Sequence, residues 1–361
     1  MSRAVRERLD ELDGLRAIAL LAVVLLHSLA WIVTSTVPAY EGIPAALLDL
    51  SRFCVPAFVF ASGLVLYWSH GAGVEPRSFL ARRWSRVALP WLIWTPVFAL
   101  LGLYFGAFPG GWWNFAAWVA YGAGHLYFLI LIAQLYVVYL FIPAPGPRLV
   151  VFTAAALALQ LGLGFYRTYL PQLQGPLNWP GSQLALEEAP FYVGYFAAGC
   201  LAAAHWRRLV GLSRYWPAAL AVALLSTGAF LAESLTVSTA SWRHGTYTFL
   251  WPAEIPLTLS ISLAVLWMAR TFQGSLGRAW PAVAWVSRHS LGLYIVHPVF
   301  MNLLGPHLGG IGPVPRVATL FVFSLVCAAL TVVGLTRHRW TALSIGEAVR
   351  SRRPPRRRVP A

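Results

Sequence analysis

The 361-residue chain is expected to be all-α, a polytopic helical bundle of about ten transmembrane helices, and three observations predict this. Hydrophobic residues make up 58% of the chain and charged residues only 11%, so it carries far more apolar surface than one soluble core buries. Apolar runs of about 20 residues, the length that crosses a roughly 30 Å hydrocarbon layer, recur from end to end. The basic residues fall largely on one side of the map that those runs define.

Ten spans follow in order. The first, 14–35, carries LDGLRAIALLAVVLLH, and the second, 44–68, carries RFCVPAFVFASGLVL. The third, 87–107, follows the basic stretch RRWSR, and the fourth, 125–142, begins with GHLYFL. Apolar runs at 148–166, 188–204 and 216–236 supply the fifth to seventh, and 249–269 begins with the WPAE of the eighth. The ninth, 284–304, contains SRHSLGLYIVHP, and 315–336 is the tenth. The Trp-rich piece from Trp112 to Tyr121 reads as a re-entrant or interfacial helix, or as an eleventh element.

All 27 basic residues are arginine. With the N-terminus inside, 21 of them fall in inside segments, which puts both ends in the cytoplasm and the chain in the cell membrane. Arg167, Arg243 and Arg316 are assigned to the outside, and Arg16, Arg52 and Arg288 fall within spans. This distribution follows membrane sidedness and not a nucleic-acid footprint, so no nucleic-acid partner is expected. Residues 1–340 form the membrane domain, and 341–361 read as a basic, disordered cytoplasmic tail that anionic lipid would attract. The longest outside loops are 167–187 and 237–248, and no appended soluble domain or cleavable signal peptide is expected. Cys54, Cys200 and Cys327 are well separated within spans, which suits packing and neither a disulfide framework nor a metal site.

Ionisable groups within spans are costly and point to function. Arg16 and His27 are eleven residues apart, three helical turns plus about 20°, and share one face of the first helix with Asp13. Arg52 and Gly63 repeat that spacing on the second, where Ser62 and Gly63 admit another backbone or a ligand. Counting the helical rise places His27, Arg52 and His297 at a common depth of about 18–20 Å from the inner face. His125 and Glu254 begin their spans from the outer side and are expected to line a mouth above that level, while Arg288 and His289 read as interfacial. The competing reading of any single histidine is a helix-to-helix hydrogen bond. Three groups on different spans at one level favour a site.

These motifs, with RRWSRVALPW and GHLYFLILIAQLY between them, resemble in content and order the acyltransferase-3 family of integral membrane O-acyltransferases, from Leu9 to about Leu335. The family's basic-residue, ten-residue, Gly-Phe-Leu pattern is similar to Arg52 through Gly63, although Leu64 and Val65 follow here. Its Arg-x-x-Arg pattern matches Arg83 and Arg86.

The resemblance implies an acyl-CoA donor, acetyl-CoA or another short acyl-CoA, with no tightly bound cofactor and no metal. It implies a hydroxyl acceptor on a carbohydrate or glycosylated metabolite. His27 is then the general base or an acyl carrier, Arg52 the oxyanion partner or a mate for Glu254, and His297 a further catalytic group. Arg83 and Arg86 suit donor phosphates at the inner face, with Arg16 and Asp13 nearby; Gly63, His125 and Glu254 complete the expected substrate site. The alternative is a proton-coupled transporter or exporter using the intramembrane His and Arg as a relay. Oligomeric state is not readable from the sequence.

Overall fold

The structure, a computed structural model, describes residues 9–36, 43–105, 112–120, 124–169, 189–238 and 251–347. The chain is an all-α, multi-pass membrane protein with no strand among the described residues. Its helices are α1 (Glu11–Thr36), α2 (Ile43–Ser51), α3 (Cys54–His70), α4 (Pro76–Tyr104) and α5 (Trp112–Ala120). After these come α6 (Tyr127–Tyr139), α7 (Pro147–Tyr169), α8 (Val193–Ala204), α9 (Trp206–Gly211) and α10 (Trp216–Ser238). The last five are α11 (Glu254–Phe272), α12 (Trp280–Arg288), α13 (Ser290–Leu304), α14 (Pro313–Leu335) and α15 (Arg339–Ser344).

Seven described segments are long and apolar enough to cross a membrane: α1, the continuous run through α2 and α3, α4, α7, α10, α11 and α14. The fourth and sixth expected spans are the short helices α6 and α8, and the ninth is divided into α12 and α13 at His289. Helix α5 is nine residues long, about 14 Å, too short to cross. Large apolar side chains such as Leu100, Val151, Leu225 and Leu330 stand exposed on α4, α7, α10 and α14, as lipid-facing surfaces require.

Helix α1 packs against α2, α3, α11, α12, α13 and α14, which makes it the pillar of the bundle. Helices α3 and α8 form the closest pair. A Cβ on Gly63 would lie 2.1 Å from the Phe196 carbonyl oxygen, and one on Gly199 would lie 2.1 Å from that of Phe60. Two glycines, one from each helix, thus let the backbones touch.

Two local breaks shape the centre. The second span stops at Arg52 and Phe53, because Pro56 has no N–H to give the Arg52 carbonyl. The Arg52 N–H turns back to the Asp49 carbonyl at 3.1 Å, a tighter turn that swings the Arg52 side chain inward. In α13, Pro298 likewise removes the helical donor of the Tyr294 carbonyl, one turn from His297.

Order reaches past the expected domain boundary at 340. Helix α15 and the residues after it are tied in by the Trp94 indole N–H, which donates to the Ser344 carbonyl at 2.9 Å, and by His289 meeting Glu347. Ile345 is fully buried. Gly346, at φ +71°, sits where a Cβ would meet the Arg86 carbonyl at 2.8 Å, so only glycine fits. Residues 348–361 of the basic tail lie outside the described residues, as do most of the expected outside loops and Arg243. Arg316, assigned to the outer side, lies in the first turn of α14, which Pro313 begins, and is buried.

Candidate active site

Three histidines from three helices meet in the bundle. His27 comes from the middle of α1, His297 from α13 beside Pro298, and His125 from the turn before α6, where Gly124 at φ +86° reverses the chain. The His27 and His297 rings stack at 5.0 Å between centroids with 13° between their planes. His125 stands edge-on to both, at 5.9 Å from His27 and 6.1 Å from His297. The expectation that His125 lines a mouth above the catalytic level is therefore corrected: it lies at that level. A helix-rise count fails there because a turn, not a helix, presents the ring.

The hydrogen bonds assign each ring its proton. His297 Nδ1 lies 3.0 Å from the Leu293 carbonyl, which can only accept, so Nδ1 carries the hydrogen. In the neutral ring its Nε2 is then an acceptor, and it lies 2.7 Å from His27 Nδ1. His27 Nδ1 must donate, which leaves the lone pair on His27 Nε2. His297 is fully enclosed, whereas His27 keeps partial exposure. His297 thus presents its Nε2 to His27 rather than to open space.

Tyr294 packs against the histidines. Its hydroxyl donates to the His125 carbonyl, and its ring stands 5.3 Å from the His125 ring. His125 also turns Nε2 toward the Ile295 carbonyl at 3.3 Å and meets Phe98 edge-on at 4.5 Å. Tyr294 went unread in the sequence because an aromatic residue in a membrane helix is ordinary packing; its one signal is its place three residues before His297.

At the junction of α2 and α3, Arg52 pairs with Asp49 at 3.4 Å, and Asp49 also accepts from Ser234 at 3.1 Å. The Arg52 charge acts on both His27 and Glu254. Glu254, the first residue of α11, is fully buried and accepts from the Thr258 hydroxyl at 2.9 Å. Arg52 is thus matched with Asp49. Gly63 belongs to none of this. Its face is filled by the backbone of α8, which corrects its expected place in the substrate site and makes it a packing residue.

On α4, Arg83 lies over the rings of Phe79 and Tyr136, at 5.6 Å and 5.8 Å from their centroids. The positive charges of Arg83, Arg86 and Arg16 all reach the Tyr136 hydroxyl. Glu75 caps α4 by accepting from the Arg77 and Ser78 N–H groups at 2.9 Å and 2.6 Å, and these bonds with the Ser78 side chain hold its carboxyl below the usual range. Asp13 accepts from the Ser287 hydroxyl at 2.7 Å, which fastens α1 to α12. The described residues contain no group of three or more His, Cys, Asp or Glu side chains able to hold a metal.

A family defined as an acyltransferase domain, acyltransferase-3, matches residues 9–333. The chain belongs to this family. A protein of Bacillus subtilis (strain 168) described as "Putative membrane-bound acyltransferase YfiQ" is 22% identical over 359 residues, covering 94% of this chain and 95% of that one. No solved structure matches the chain. The acyltransferase-3 protein is therefore a membrane-bound acyltransferase, and the three-histidine centre, Arg52 with Asp49, and the α4 arginines lie within the matched region.

Proposed function

We propose that the protein is an acyl-CoA-dependent O-acyltransferase in which His27 is the general base. The observation that carries this reading is the chain from the Leu293 carbonyl through His297 to His27, which leaves a free lone pair on His27 Nε2. The acceptor hydroxyl gives its proton to Nε2 as its oxygen attacks the thioester carbonyl. As the tetrahedral intermediate collapses, the carbon–sulfur bond breaks and the same proton passes to the departing thiolate. The reaction consumes no net proton. His27 thus needs no proton exit from the membrane, which separates it from a transport relay.

Arg52 offsets the charge that develops on the carbonyl oxygen, since a guanidinium held in a water-poor site acts strongly there. Arg83 and Arg86, with Arg16, receive the phosphates of the donor from the cytoplasm, because forked guanidinium groups match phosphate oxygens. The acceptor is a carbohydrate or glycosylated metabolite, the donor acetyl-CoA or another short acyl-CoA. The chain crosses the membrane ten times with both ends in the cytoplasm, supported by the 21 arginines on that side.

The test is to supply membranes with labelled acetyl-CoA and trace the label in wild type and in His27→Gln at equal abundance. Label in an ester with wild type alone is expected. Equal labelling in the two, or none from acetyl-CoA and longer acyl-CoA alike, would overturn the reading.

A further inference from the structure

Glu254 holds a carboxyl oxygen for which the described residues supply no partner. Its Oε1 accepts from Thr258, but Oε2, although buried, has no hydrogen bond. Two turns on, Ser262 carries a fully buried hydroxyl that also has none. Residues 254, 258 and 262 are spaced i, i+4 and i+8, so they form one polar stripe on α11. Buried polar atoms are nearly always paired, and orphans on one stripe point to something bound there.

Charge narrows what that is. Burial disfavours any charged ligand beside Glu254, and the Arg52 charge that reaches it would repel a cation as well. What remains is a neutral donor, and a hydroxyl fits. It is not the hydroxyl that reacts, whose proton goes to His27. Arg52, paired with Asp49, is the group whose charge reaches both His27 and Glu254.

Resting on the acyl-transfer reading above, we propose that Glu254 is a specificity-determining residue that receives a second hydroxyl of the acceptor, so that the site prefers a vicinal diol to a lone alcohol. The unpartnered Oε2 accepts the O–H of the neighbouring hydroxyl, while Thr258 holds the carboxyl in place through Oε1. A site built to bond a hydroxyl discriminates strongly against the analogue without it, since its own polar atom is then left unpaired.

The experiment uses purified full-length protein in lipid nanodiscs with labelled acetyl-CoA and a mixture of 1,2-propanediol and 1-propanol. The ratio of the two acetyl esters is read, and a general loss of activity does not move it. Wild type should favour the diol by roughly tenfold or more. The ratio should fall toward one in Glu254→Leu and lie between in Glu254→Gln, where the neutral amide accepts more weakly. If Glu254→Leu does not reach the membrane, Thr258→Val decides, with the same fall expected and recovery in Thr258→Ser. A ratio unchanged by these substitutions overturns the proposal, as does a wild type with no diol preference or no transfer to either alcohol. Failure of the acyl-transfer reading looks different: wild type then shows no His27-dependent consumption of acetyl-CoA at all.

Discussion

His27 Nδ1 lies 2.7 Å from His297 Nε2, across 270 residues of sequence, and the Leu293 carbonyl behind His297 sets the direction of that bond. A proton fixed on Nδ1 exposes Nε2 as base, so each ring has a separate test.

His27→Gln keeps hydrogen-bonding capacity but has no imidazole lone pair. Its kcat should fall by roughly 100-fold to 10,000-fold with little change in donor KM. Near-normal turnover at normal abundance would remove His27 from the chemistry.

His297→Ala should lower kcat by roughly 10-fold to 1,000-fold, as when a base loses the group that sets its tautomer. It should also move the limb of the pH–rate profile that reports His27, leaving donor KM unchanged. Loss of protein with an unmoved limb would mean that His297 only packs.

Arg83→Gln and Arg86→Gln should each raise the apparent KM for acyl-CoA, and the double variant more than either, with the wild-type KM rising as salt screens the remaining attraction. A raised acceptor KM with the donor KM unmoved would reassign both residues.

Cysteine placed at Arg77 or Arg207 should react with an impermeant thiol reagent only from the cytoplasm, and at Trp242, which lies outside the described residues, only from the other face. Labelling of Arg207→Cys from outside would break the ten-span map.

Gly63→Ala should destabilise the purified protein by about 1–3 kcal/mol, since the new methyl meets the α8 backbone and cannot be absorbed by a side-chain turn. An unchanged melting temperature would show that α3 and α8 part easily.

Much of the site was legible before the fold. Arg16, His27, Arg52 and His297 stood out because a charge in an apolar run has few reasons to be there. Other features had no such mark. Gly63 leaves the same trace whether a ligand or a helix comes close, and only the Phe196 carbonyl decides between them. The depth of His125 depends on a turn at Gly124, and the break at Phe53 follows from one missing N–H at Pro56, whereas Pro90 and Pro96 sit inside an unbroken α4. The Glu254, Thr258 and Ser262 stripe was readable from its spacing, but hydroxyls often bond their own helix, as Ser28 does to Val24 and Ser324 to Leu320. Which hydroxyls lack that option is a matter of three dimensions.

Helix α6 has thirteen residues and is about 20 Å long, yet Val137 and, just past its end, Phe141 face outward. A hydrocarbon layer of about 30 Å cannot be matched by it. Lipid beside α6 must thin, at a cost that grows with each ångström of mismatch. The strip of bilayer next to α6 is thereby thinner than the hydrocarbon layer elsewhere, and turnover should decline as acyl chains of the host lipid lengthen.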